Sequence, residues 1–207
     1  MSQNIDYYFT CISPFAYLGH KKLVEIANIH GKSVNFKPFD IFGVWKISGA
    51  QPPAERAPVR QRYRKIEIQR AAIVRDTCMN PSPEFFPTNP APADLCISAL
   101  VHAGKDASQF SLAVGRGVWE QNLQVADEAT LSLLLKECGH DADVIIELSK
   151  SDEVSALRDK NTQEAIAADA IGAPAYVYNG EVFWGQDRLE YLEQMIASGR
   201  QAFSSDV

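Results

Sequence analysis

Ser13 stands directly before Pro14, a pairing that marks the start of a helix, with a hydroxyl at the cap and proline at the first helical position. A cap hydroxyl accepts from backbone N–H groups, yet it also has one O–H to give, at the positive end of the helix dipole. An anion brought there would meet both. The plainer role is a cap alone, worth about 1 kcal/mol. Cys11 lies two residues upstream and is the rival nucleophile; near the end of a strand and away from the helix start, it reads as a packed thiol. Asp187, with Glu190 three residues on, has the form of a capping box at the start of the last helix, which by itself gives it a structural role. From Glu55 to Arg75 the chain carries Arg56, Arg60, Arg62, Arg64, Lys65, Arg70 and Arg75 against Glu55 and Glu67. Most of these read as a solvated helix face, with one or two arginines free to clamp carboxylates.

Other chemistries find no support. Cys11, Cys78, Cys96 and Cys138 are scattered, and His20, His30, His102 and His140 show no ligand spacing, so no metal is expected. The 207 residues are 46% hydrophobic and 22% charged, which suits a soluble fold with a sizeable core. A formal charge of −6 argues against nucleic acid as a partner, and no apolar run is long enough to span a bilayer. The first residues lack a basic stretch followed by an apolar one, so a cytoplasmic protein is expected.

The elements that must position Ser13 follow from local pattern. Ile5 to Cys11 is rich in β-formers and reads as a strand; residues 14–30 have helical spacing up to Gly31; Val34 to Phe39 reads as a second strand, with Pro38 near its end. Helices are expected near 55–77, 94–104 and 107–121, and from Asp127 to Lys136, closed by Gly139. Pro81 to Pro92 holds five prolines and reads as a stiff connector. A helix near 152–170 leads to Gly172-Ala173-Pro174, then to Ala175–Tyr178 and Glu181–Trp184 around Asn179-Gly180, a hairpin whose turn needs positive φ. Leu189, Leu192, Met195 and Ile196 mark a final amphipathic helix.

This order, with Ser13-Pro14-Phe15-Ala16-Tyr17-Leu18, Gly49-x-x-Pro52-Pro53, Phe86-Pro87-Thr88-Asn89, Gly172-Ala173-Pro174 and Trp184-Gly185-Gln186-Asp187-Arg188-Leu189, resembles 2-hydroxychromene-2-carboxylate isomerases, relatives of kappa-class glutathione transferases and of DsbA. The resemblance implies an α/β, thioredoxin-like fold with a large all-helical insertion: residues 1–40 and 155–207 form the thioredoxin-like part, 41–154 the inserted helical domain. It places Ser13-Pro14-Phe15-Ala16 where redox relatives have C-x-x-C, so dithiol cycling is excluded and Ser13 is left to hold a glutathione thiolate. Ala173-Pro174 is expected to be cis, with Ala173 meeting glutathione's cysteinyl backbone. Gln186, Asp187 and Arg188 would meet its γ-glutamyl end. The family's usual asparagine is replaced by Ala50, for which Gln51 is the nearest substitute, and its aspartate at the end of the first strand by Thr10. Lys46, Arg60 and Trp45 are candidates for the second substrate, and Trp45 with Trp119 would wall a cleft between the two parts at Ser13.

By resemblance the reaction is a cis/trans isomerisation of an aromatic acid, in which glutathione thiolate adds to a conjugated carbon, a bond rotates and the thiolate leaves. A homodimer is implied. A kappa-like transferase that consumes glutathione, and a glutathione- or peptide-binding module without turnover, remain open beside it.

Overall fold

The computed structural model describes residues 4–204. Four strands form one mixed sheet in the order β2-β1-β3-β4: β1 (Asn4–Phe9) lies parallel to β2 (Ser33–Pro38) and antiparallel to β3 (Ala175–Tyr178), which forms a hairpin with β4 (Glu181–Trp184). With α1 (Pro14–Ile29) joining β1 to β2 and α9 (Leu189–Ser198) following β4, this is the expected thioredoxin-like arrangement. Between the two halves run α2 (Ile41–Ser48), α3 (Pro58–Val74), α4 (Ala91–His102), α5 (Ser108–Trp119), α6 (Glu128–Glu137), α7 (Ala142–Ser149) and α8 (Asp152–Ala167). No helix among the described residues is long and apolar enough to cross a membrane.

Side chains alternate along β1, which places the sheet at the centre of three layers. Tyr7 and Phe9 face one side and stack at 4.3 Å, joined by Phe36 and Tyr176 and covered by α1, α4, α5 and α9. Tyr8 faces the other side with Phe39 and Ala175, covered by α2 and α8. Residues of α4 to α7, among them Ile97, Phe110, Leu135 and Ile145, belong to the same apolar cluster as Ile5 and Tyr7. The helices therefore share the sheet's core.

Several boundaries differ from the sequence reading for local reasons. β1 ends at Phe9, not Cys11, because the chain turns: the Ser13 N–H donates to the Thr10 carbonyl at 3.0 Å. The helix expected near 55–77 spans Pro58–Val74, opened by Pro58 and closed before Asp76 at φ 45°. α2 and α7, which periodicity left unresolved, are both capped by aspartates, Asp40 and Asp141. The hairpin stands as read, with Asn179 at φ 51° and Gly180 at φ 85°.

Candidate functional site

The site is built on the start of α1. Ser13 caps this helix: its Oγ accepts from the Ala16 N–H at 3.3 Å, and the first turn holds no acidic residue to offset the dipole. The same hydroxyl donates to the Ala173 carbonyl at 3.3 Å, across 160 residues. Capping and outward donation therefore coexist in one side chain. The Ala173-Pro174 bond is cis, as expected, and Pro174 O accepts from the Gly185 N–H at 2.9 Å. One backbone path thus runs from Ser13 through Ala173 and Pro174 to the turn that opens α9. Among the described residues the Ala173 N–H donates no hydrogen bond, so a donor beside Ser13 is left to spare.

A buried carboxylate fixes the approach to Ser13. Asp94, in the first turn of α4 and fully buried, accepts from the Cys11 N–H at 2.9 Å and from the Thr10 hydroxyl at 3.0 Å, with the Arg158 guanidinium 3.6 Å away. Burial pushes its carboxyl up, and the nearby Arg158 opposes that shift. Thr10, where the related isomerases are expected to carry an aspartate, is thus met by a carboxylate supplied through space. Cys11 is buried, its Sγ 3.8 Å from the Pro90 carbonyl, and burial followed by the Asp94 charge holds its thiol well above the usual range. That is the packed thiol of the sequence reading, since a nucleophile needs an accessible thiolate.

On one side of the path, the turn Gln186–Arg188 brings three candidates together. Gln186 is buried, whereas Asp187 and Arg188 are exposed and paired with each other at 2.7 Å. The capping box is not formed: α9 starts at Leu189 with Arg188 at its cap and no side-chain cap bond, because Glu190 instead pairs with Arg75 at 2.6 Å. Arg75 also donates to Gln186 through Oε1 and the main-chain oxygen, each at 2.6 Å. In the sequence it looked like one more solvated cation; it is 9% exposed.

On the other side, Gly172 lies between two indoles. A Cβ built there would stand 3.2 Å from Trp184 Nε1 and 3.3 Å from Trp45 Nε1, so any larger residue would have to push the indoles back by a few tenths of an ångström. The Arg56 guanidinium lies 5.9 Å from the Trp45 ring centre and donates to the Gln51 carbonyl at 2.8 Å. Arg64 lies 6.0 Å from the Phe86 ring. Burial, then the neighbouring Arg60, lowers Arg56; burial, then Arg56, lowers Arg64 to about 10. Arg60 and Arg64 share a face of α3 at i,i+4. Among the described residues no carboxylate pairs with Arg56, Arg60 or Arg64.

Two expectations change. Trp119 does not wall a cleft: it is buried in the helical core with the Phe86 ring 4.8 Å away, while Trp45 does reach the Gly172 loop. Two cavities stand out. One, about 710 Å³, lies along β4 and α9, and the other, about 320 Å³, along β2 and α8; neither is lined by Ser13. Residues of the helices expected to wall that cleft belong to the same apolar cluster as the sheet. Lys46 and Arg60 are exposed, and no side-chain bond among the described residues ties either to the Ser13 path. Gln51 enters through its carbonyl, which accepts from Arg56.

The chain resembles known proteins along most of its length. The chain is 30% identical over 197 residues to the 2-hydroxychromene-2-carboxylate isomerase of Sphingobium xenophagum, covering 95% of this chain and 99% of that protein. It is 24% identical to Glutathione S-transferase kappa 1 of Caenorhabditis elegans, covering 93% and 90%. A solved structure of 2-hydroxychromene-2-carboxylate isomerase superposes with a TM-score of 0.81 at 23% identity, covering 94% of this chain and 95% of that one, which shows the shared fold. A DSBA-like thioredoxin domain matches residues 4–197. With that match extending over nearly all of its length, the chain belongs to the DSBA-like thioredoxin domain family.

Proposed function

We propose that the protein is a glutathione-dependent cis/trans isomerase of an aromatic acid, resembling 2-hydroxychromene-2-carboxylate isomerase, with Ser13 stabilising the glutathione thiolate. The observation that carries this reading is the Ser13 hydroxyl at the positive end of α1, next to an Ala173 N–H with no partner of its own. The residues suit glutathione. Ala173 offers one N–H, Gln186 a side-chain amide and Asp187 a carboxylate along one continuous path, the groups that a peptide with an α-amino-acid end requires. Bound glutathione supplies a thiol that, once ionised, adds reversibly to a conjugated carbon and so turns a double bond single for the rotation. Ser13 would release its 3.3 Å bond to Ala173 O and donate to the sulfur instead. A long, neutral hydrogen bond is given up at small cost, about 1 kcal/mol, while a bond to an anion is roughly twice as strong.

The second substrate would lie toward Trp45. Unpaired Arg56 and Arg64 beside the Trp45 and Phe86 rings suit an anion attached to an aromatic system. Chromatography of 2-hydroxychromene-2-carboxylate and its ring-opened isomer, with a thiol assay of the same mixture, tests the reading. An isomerase interconverts the two and leaves the glutathione concentration unchanged; loss of free thiol with formation of a conjugate would instead establish a transferase. That neither of the two cavities described above is lined by Ser13 favours one further reading, a glutathione- or peptide-binding module, for which binding without turnover is the expected result.

A further inference from the structure

We infer that Arg75 is a positioning residue for ligand recognition, setting the Gln186 amide so that it presents only donors to the α-carboxylate of glutathione's γ-glutamyl end. The inference rests on the glutathione reading above and adds a residue from α3 to it. Arg75 caps the C-terminal end of α3, and its side chain is 9% exposed. Its Nε donates to Gln186 Oε1 at 2.6 Å, one terminal nitrogen to Gln186 O at 2.6 Å and to Glu190 Oε2 at 3.1 Å, and the other to Glu190 Oε1 at 2.6 Å. The turn it grips has no side-chain cap of its own.

The chemistry of the donor settles the orientation of the amide. Arginine has five N–H donors and no acceptor, so Gln186 must turn its oxygen to Arg75 and its NH2 away. A glutamine free to flip could serve an acceptor or a donor; this one can only donate. Its neighbour Asp187 can only accept when ionised. Donor followed by acceptor matches the carboxylate and ammonium of one α-amino acid, in that order. Arg75 does not compete for the ligand's carboxylate, because Glu190 already pairs with its guanidinium. It acts through Gln186. Lysine could not replace it, since a single ammonium lacks the planar fork that reaches Gln186 Oε1, Gln186 O and Glu190 together.

The test compares two ligands by calorimetry: glutathione, and 4-aminobutyryl-cysteinyl-glycine, which keeps the ammonium and lacks the α-carboxylate. Wild type should bind glutathione about tenfold or more tightly than the analogue, the worth of one charge-assisted contact. In Arg75→Met the glutathione affinity should fall to that of the analogue, whose own binding changes little. Gln186→Glu gives a second variant that keeps the fold, because a carboxylate pairs with Arg75 at least as well as the amide does. Its melting temperature should stay at or above wild type while its preference for glutathione disappears. An undiminished preference in both variants would overturn the positioning role and leave the glutathione reading standing. No binding of either ligand by wild type would overturn both.

Discussion

The two flanks of the Ser13 path handle charge in opposite ways. At the Gln186 turn Arg75 is met by Glu190 and Gln186, and beneath Thr10 the buried Asp94 accepts two hydrogen bonds with Arg158 3.6 Å away. On the Trp45 side, burial and then Arg60 lower Arg56, burial and then Arg56 lower Arg64, and no carboxylate among the described residues meets Arg56 or Arg64. A satisfied network holds geometry, because each of its members loses a partner if it moves. An unsatisfied cluster holds free energy in reserve for a ligand of opposite sign. Under the proposed function the difference is a division of labour, with one region fixing the helix start and the Gln186 turn and the other free to meet an anion.

The largest expected effect breaks the fixed flank. Asp94→Ala leaves Arg158 buried without its carboxylate and strands the Thr10 and Cys11 donors, so it should cost about 3–5 kcal/mol in denaturant unfolding. A cost below about 1 kcal/mol, the scale of a surface pair, would mean that water already serves this site. The open flank should respond with the opposite sign in stability. Arg56→Gln with Arg64→Gln removes like-charge repulsion and should leave the melting temperature unchanged or higher, while KM for the aromatic acid rises about tenfold or more, roughly 1.4 kcal/mol. Unchanged KM would locate the anion elsewhere.

The smallest effect sharpens the contrast through pH. The hydrogen bond from Arg75 holds the Glu190 carboxyl below its usual range. A carboxyl with a depressed folded pKa contributes stability above its unfolded value of about 4.3, and that contribution fades as pH falls through the folded value. Glu190 is about half exposed, its side chain at 52%, so solvent screening limits the contribution to about 0.5 kcal/mol. The stability difference between wild type and Glu190→Gln should therefore be small at neutral pH and vanish in acid.

What the sequence disclosed tracks how local each cause is. Ser13-Pro14 and Asn179-Gly180 declare a helix start and a turn through their own backbone preferences, and both stand as read. The partners of Thr10 and Gln186 do not. Asp94 lies 84 residues from Thr10, and in the first turn of a helix it resembles an ordinary dipole-compensating acid. Arg75 lies 111 residues from Gln186 at the end of a run of exposed cations, where nothing in its type or spacing marks it as buried. Trp119 was misplaced for a similar reason. An aromatic residue on a helix can wall a cleft or fill a core, and only the packing of α5 into the shared core decides between them.

The central claim is that Ser13 stabilises a thiolate, and the ionisation of glutathione on the protein tests it most directly. Ultraviolet titration of the thiolate should show bound glutathione ionising below the ordinary cysteine value of about 8.5 on wild type. On Ser13→Ala that pKa should rise by about one unit, the 1.4 kcal/mol worth of a lost donor, with glutathione affinity little changed. An identical pKa on the two proteins, or no depression on wild type, would contradict the account and reduce Ser13 to the cap of its helix.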